Sequence, residues 1–574
     1  MDTLNDVHLQ FAKYFRDSAL EPYLYKLSQK MEEGSTCLDL EEVDDDRLAL
    51  ACSVLVSQGA NVQERPFVLD KERLYMQRYF RYEIGLIEKI KAMVVAGNQR
   101  ATERAAQLAT LQPQLNQLFP SDTTETDWQK IAACFALLND FTIITGGPGT
   151  GKTTTVSKIL ELLLLQNPDI TIALAAPTGK AAARMTESLR NAAGSLSAAT
   201  QEKFAELKPS TIHRLLGTVK DSLYFKHGKD NPLVYDVIIV DECSMIDIAL
   251  FSTLLDAIGE QTRLILLGDK DQLSSVEVGS LFGDLCKTVA PLNHFSKDRL
   301  DLLKPVLAKE NIPTNDALHF LQNNIVVLQI SRRFDKEKGI GKLADAVIYN
   351  RQDALEALLH KEEEQIAFDF SYSESVWKDF AKGYADYIET DSIKESLLRL
   401  DHQRMLCAVR EGEHGTVRMN QKIEDYLLSQ GKIDGKGNTF YHNRPIMVLE
   451  NNYELGLYNG DIGLLRKGND GVVKAWFLDS DNKDTGLKSV LPGLISKMET
   501  VFAMTIHKSQ GSEFDRVMVV LPDSHRSEQL LTREILYTAV TRAKRWVLVA
   551  ASQATIRETA ERQVRRSSGV GERL

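Results

Sequence analysis

The stretch TIHKSQGSEF, residues 505–514, puts hydroxyls, an imidazole, an ammonium, an amide and a carboxylate into one short segment. It follows an apolar run (Val501, Phe502, Ala503, Met504) and is too rich in polar chemistry for a plain surface turn. A more explicit site lies far upstream in GGPGTGKT, residues 146–153. Glycines there let backbone N–H groups turn inward around phosphates, and a helix opening at the loop adds its positive end. The segment sets Gly146, Gly147, Pro148, Gly149, Thr150, Gly151, Lys152, Thr153 and Thr154 around a nucleotide. Lys152 reaches the β- and γ-phosphates, and Thr153 ligates Mg2+.

VIIVDECSM supplies the matching acids. Four apolar residues end in Asp241 and Glu242, and open α/β sheets present their ligands at that end of a strand. Asp241 holds the Mg2+ shell, and Glu242 orients and deprotonates the attacking water. LLGDKDQL repeats the pattern, with Gln272 placed to sense a γ-phosphate. Gln129, upstream of the loop, can pair both edges of adenine, which favours ATP over GTP; the alternative is a solvent-facing helix residue.

These groups need buried parallel strands to carry them. FTIIT, TIALAAP, VYDVIIVDE, TRLILLGD and IVVLQIS are near-continuous apolar runs alternating with helical segments. A second α/β series follows at RMLCAV, METVFAMT, DRVMVVLP and RWVLVAAS. Residues 428–495 change texture to short antiparallel strands with Asn-Gly and Asn-Asp turns. Residues 1–115 read as a small, mainly helical domain without catalytic motif, LFPSDTTETD marks a boundary near 118–127, and the tail RRSSGVGERL reads as disordered. The expected units are 1–115, 116–345 and 346–574, the last containing 428–495.

At 574 residues the chain needs several cores. Asp and Glu total 80 against 69 Lys and Arg, a net charge of −11. That argues against a surface coated for nucleic acid and leaves room for a narrow basic channel. No apolar run is long enough to span a membrane, and the opening MDTLNDVHLQ has no secretory pattern. Cys37, Cys52, Cys134, Cys243, Cys286 and Cys407 form no CxxC pair, so neither a disulfide framework nor a zinc site is expected, and the cytoplasm is the default.

A tandem motor explains TIHKSQGSEF better than a single ATPase domain does. ATP gripped between two lobes needs an arginine from the second lobe at the γ-phosphate. Arg542, in LYTAVTRAK, and Arg333, in SRRF, are the candidates, although an isolated arginine is usually a surface residue.

In order along the chain, Gln129, GGPGTGKTT, APTGKAAARM, STIHRLLG, VIIVDECSM, LLGDKDQL, SRRF, TIHKSQGSEF and LYTAVTRAK resemble the motifs of superfamily 1 helicases. TIHRLLG, VDECSMID and RPFVLDKERLYMQRYFRYE resemble its RecD group, of the 5′→3′ branch. The resemblance implies two tandem RecA-like P-loop domains, a small helical N-terminal domain and an SH3-like β insert. It implies that Gly511 and Glu513 face the nucleotide while Thr505 and His507 face DNA. Pro177, Thr178, Thr211 and His213 would hold single-stranded DNA; His507 has a buried structural histidine as its alternative. It implies RecB-like and RecC-like partners in an exonuclease V (RecBCD) heterotrimer that unwinds duplex ends in double-strand break repair, with residues 1–115 docking on the RecC-like subunit. The alternatives are a free-standing RecD-like helicase or an RNA helicase. A nuclease is disfavoured because the one carboxylate cluster serves ATP, and a non-enzymatic clamp because Lys152, Glu242 and Arg542 are all present.

Overall fold

The structure, a computed structural model, describes the chain except residues 1–5, 44–47, 60–64, 121–124, 195–197, 220–221, 223, 316–318, 435–438, 453, 469, 480–481, 483 and 524–528. Part of the expected boundary LFPSDTTETD thus lies outside the described residues. Among the described residues no helix is long and apolar enough to cross a membrane.

Strands β1 (Cys37–Asp39), β2 (Val56–Gln58), β3 (Phe67–Asp70) and β4 (Arg73–Met76) form an N-terminal sheet in the order β1-β4-β3-β2. The expectation of a helical N-terminal domain is corrected here: LALACSVLVSQ divides into the helix Leu48–Cys52 and β2. A short apolar run carries no periodicity that separates helix from strand, so pairing with β3 decides it.

The helix Gln77–Thr110 also redraws the domain limits. Its Leu86, Ile87, Ile90, Met93 and Val94 share a core with Phe141, Ile143 and Ile238, and its Ala101, Ala105 and Leu108 pack with the helix Trp128–Leu138. Arg100 and Arg104 reach buried Asp140 at 3.0 and 2.6 Å, just before the first motor strand. Gly97 allows that approach, because a Cβ there would lie 2.8 Å from the Asp140 nitrogen. Residues 77–110 therefore pack as part of the first motor lobe.

That lobe is built on β5 (Phe141–Gly146), β6 (Ile172–Ala176), β7 (Ser210–Thr211), β8 (Val237–Val240), β9 (Arg263–Gly268) and β10 (Ile325–Leu328), all parallel in the order β10-β5-β9-β8-β6-β7. Helices cover both faces, which is why β5, β8 and β9 are buried along their whole length. The second lobe uses β11 (Ile366–Asp369) and β12 (Gln403–Cys407). Between them and the remainder of its sheet comes an antiparallel insert of β13 (Arg444–Val448), β14 (Ile462–Lys467), β15 (Val473–Leu478), β16 (Leu487–Val490) and β17 (Met498–Thr500), in the order β16-β15-β14-β13-β17. The lobe closes with β18 (Ala503–Thr505), β19 (Phe514–Val520) and β20 (Ala543–Ala550), giving a parallel sheet β11-β20-β19-β12-β18. METVFAMT, expected as one strand, is two. Met498–Thr500 pairs with β13 of the insert, Ala503–Thr505 pairs with β12, and buried Val501 and Phe502 make the crossing between sheets.

The tail is ordered, against expectation. Ser567 bonds Ser35 and Thr36 of the N-terminal layer, each at 3.0 Å. Arg573 pairs with buried Glu83 at 2.9 Å and with Asp70 at 2.6 Å. The tail's place at the chain end suggests disorder; its charges find partners at Asp70 of the N-terminal layer and at Glu83.

Candidate nucleotide and DNA site

The loop after β5 turns through left-handed backbone at Gly149 (φ +77°) and Gly151 (φ +84°) before the helix Lys152–Gln166 begins. These two positions need glycine twice over. A Cβ on Gly151 would lie 2.2 Å from Gln129 Nε2, and one on Gly149 would lie 2.3 Å from Arg333 Cβ. Gln129 is buried, not solvent-facing, and donates from Nε2 to the Thr150 carbonyl at 2.9 Å. Its Oε1 is buried with no protein hydrogen-bond donor, which leaves an acceptor for an exocyclic amine such as adenine's. Lys152 Nζ donates to the carbonyls of Gly146 and Gly147 at 2.6 and 3.4 Å.

Asp241 and Glu242 leave the end of β8 as expected. Burial pushes the Asp241 carboxyl up to about 6; Glu242 adds to that, and Lys152 draws it back. Glu242 has a left-handed backbone (φ +54°), a strained state for a residue with a Cβ. Asp241 and Thr153 offer one carboxylate and one hydroxyl. These are hard oxygen donors of the kind that would hold Mg2+.

Asp269, at the end of β9, is likewise pushed up to about 6 by burial. Gln272 does not point into an open site: its Nε2 donates to Asp269 Oδ2 at 3.0 Å.

The two arginines sit differently: Arg333 packs against Gly149 of the loop, whereas Arg542 feels the charges of Glu242, Glu513 and Asp269. Arg542 is buried between Ser512 and Thr538, donating to each carbonyl at 3.2 Å. Arg333 is carried by the segment leaving β10, the edge strand of the first sheet, and not by the second lobe as expected. It grips Glu513 through two nitrogens at 2.7 and 2.8 Å. Burial pushes Glu513 upward, yet Arg184 and Arg333 more than offset it and hold the carboxyl below its ordinary value. Glu513 therefore touches the nucleotide region through an arginine.

TIHKSQGSEF runs from one face of the second lobe to the other. Thr505 ends β18, and His507 opens a short 3-10 turn, half-buried. Gln510 crosses to the first lobe, donating to the Leu273 carbonyl at 2.7 Å. Gly511 (φ +68°) passes the helix Gly179–Ala193 at Ala181. The candidate DNA residues of the first lobe sit at two helix starts. Thr178 caps Gly179–Ala193 through Ala181 N at 3.2 Å, and Thr211 caps Ile212–Leu216 through Arg214 N at 3.2 Å. Pro177 precedes the first cap, and His213 is exposed beside the second. The insert leans over this face: Tyr458 lies against Gly179 and accepts from Arg214 at 3.4 Å.

Residues 129–278 match the AAA domain family, and residues 500–550 match the UvrD-like helicase C-terminal domain. RecBCD enzyme subunit RecD of Haemophilus influenzae is 33% identical, across 97% of this chain and 90% of that one. RecBCD enzyme subunit RecD of Mycolicibacterium smegmatis is 34% identical, across 97% and 94%. The chain belongs to the RecD family of DNA helicases. A more distant relative is the ATP-dependent RecD2 DNA helicase of Deinococcus radiodurans, 27% identical across 73% of this chain and 49% of that one.

As a RecD-family helicase the chain is an enzyme that hydrolyses ATP. The structure places the loop after β5 and both acids at the end of β8, where sequence reasoning put them, and moves Arg333 to the first lobe. Sequence reasoning missed Tyr537, whose hydroxyl lies 3.1 Å from Asp269, and the cross-lobe role of Gln510. The signal for Gln510 was present in TIHKSQGSEF. Tyr537 likewise lay inside LYTAVTRAK, but a tyrosine between Leu536 and Thr538 reads as helix core.

Proposed function

We propose that this chain is the 5′→3′ single-stranded DNA translocase and helicase subunit of a RecBCD-type heterotrimer that unwinds duplex ends during double-strand break repair. The observation that carries this reading is that Arg333 packs against Gly149 of the phosphate loop and bonds Glu513 of TIHKSQGSEF, while Arg542 lies within electrostatic reach of Glu242, Glu513 and Asp269. Lys152 and the loop amides hold the β- and γ-phosphates, and Gln129 reads adenine. Thr153 and Asp241 would hold Mg2+, which when bound supplies charge to the phosphate oxygens. Glu242 orients water and takes its proton, while the arginines meet the charge that builds on the transferring group. Pro177, Thr178, Thr211, His213, Thr505 and His507 form the proposed strand path. Phosphates there meet hydroxyls, helix starts and imidazoles without base reading. The β insert, as an SH3-like module, borders that path through Tyr458.

Tailed duplexes test the polarity. Unwinding is expected from a 5′ overhang, and a chain that unwinds only from a 3′ overhang overturns the reading.

The sheet-containing N-terminal layer is the proposed docking surface for the RecC-like subunit. Val7, Tyr14 and Val54 are 67%, 79% and 78% exposed there. Removal of residues 1–76, sparing the helix that packs on the motor lobe, is expected to abolish co-purification with the partner subunits while DNA-stimulated ATPase persists. Full-stoichiometry assembly of that truncation would exclude the docking role.

A further inference from the structure

A fully folded tyrosine usually finishes a hydrophobic core. Tyr537, on the helix Arg533–Val540 of the second lobe, is buried in that way, but its hydroxyl is not satisfied within its own lobe. It donates to Asp269 Oδ2 of the first lobe at 3.1 Å, and a Cβ on Gly147 of the phosphate loop would lie 2.9 Å from it. Burial and the Asp269 carboxylate push the phenol well above its ordinary range, so it remains a donor.

Asp269 is where this contact gains a function. Its Oδ1 accepts from Asp271 N at 3.0 Å, while Oδ2 is shared between Tyr537 and Gln272, the latter at 3.0 Å. Two further bonds tie the same loop to the second lobe: Leu273 N donates to Thr538 Oγ1 at 2.9 Å, and Gln510 donates to the Leu273 carbonyl at 2.7 Å. Both of those hold backbone. Tyr537 alone of the three reaches the carboxylate on which the γ-phosphate-sensing candidate Gln272 rests. A cavity of about 390 Å³ opens beside this contact, lined by Gly147, Asp269, Leu328, Phe334, Ile348 and Tyr537, so the lobes are joined here by hydrogen bonds across a gap.

We propose that Tyr537 is a positioning residue that holds the two lobes in register across the phosphate loop, through the same Asp269 carboxylate on which Gln272 rests. When Gln272 turns toward a γ-phosphate, Oδ2 loses one donor and keeps Tyr537, so the lobe contact persists while the sensor moves. This rests on the ATP-motor reading above.

Tyr537→Phe in the full chain removes one hydroxyl and keeps the ring. Spin labels on one exposed residue of each lobe should report a broader and longer interlobe distance without nucleotide. DNA-stimulated kcat should fall about tenfold, the scale of one hydrogen bond to a charged acceptor, with ATP affinity held within about twofold. Wild-type distances together with wild-type kcat would overturn the proposal. So would a lowered melting temperature with equal losses of affinity and turnover, the signature of a core tyrosine. If the unmutated chain hydrolysed no ATP, the motor reading would fail, whereas the nucleotide-free distances would still decide the role of Tyr537.

Discussion

Lys152→Gln is expected to cut DNA-stimulated ATP turnover by on the order of 10³ or more, while the fold survives. Lys152 is the loop's own cation, and its ammonium bonds the Gly146 and Gly147 carbonyls. A glutamine is shorter and neutral. It cannot follow charge that moves onto the β–γ bridging oxygen, so the loss falls mainly on the transition state. The folded state loses little, because neither carbonyl depends on Lys152 for the loop's turn, which Gly149 and Gly151 set. Steady-state hydrolysis with saturating single-stranded DNA, together with circular dichroism, checks both halves. A folded variant with near-wild-type turnover would refute the assignment of the loop.

Arg333→Ala and Arg542→Ala should each reduce single-turnover hydrolysis by roughly 10³–10⁵ while weakening ATP binding far less. Their structural settings predict a difference between them. Arg542 is 3% exposed and donates to the Ser512 and Thr538 carbonyls; Thr538 keeps the Thr541 hydroxyl, so removal of Arg542 strands the buried Ser512 carbonyl at a cost of about 1–3 kcal/mol. Arg333 is pinned by Glu513 at a partly open site, so its removal should spare the melting temperature and leave the Glu513 carboxylate to Arg184. Rapid-quench hydrolysis, a fluorescent ATP analogue and thermal melting separate the three effects. Wild-type hydrolysis in either variant takes that arginine out of the catalytic set.

The motifs were legible because each couples chemistry to a short local structure. GGPGTGKT names its own strand, turn and helix start, and VIIVDE names a buried strand with acids at its end. Side-chain partners were less legible. Gln272 and Glu513 were read as facing the nucleotide, yet they bond Asp269 and Arg333. Thr178 and Thr211 were read as DNA contacts, and their hydroxyls are already the caps of two helices. A sequence shows which groups are available, and hydrogen-bond competition decides where each one goes.

The amino-acid order alone established two α/β lobes, the phosphate loop, its acids and the placement of an antiparallel insert, because periodicity and turn chemistry act over a few residues. Only the tertiary structure decided the rest. Met498–Thr500 and Ala503–Thr505 went to different sheets, the helix Gln77–Thr110 joined the motor lobe, and Arg333 left from the first sheet. The acidic and basic tail became ordered against Glu83 and Asp70, and Tyr537 met Asp269 across the lobe boundary. The physical reason is common to all five. Each depends on contacts between segments distant in sequence, whose free energy exists only once strand pairing and burial have brought them together, and no local pattern of residues encodes that distance.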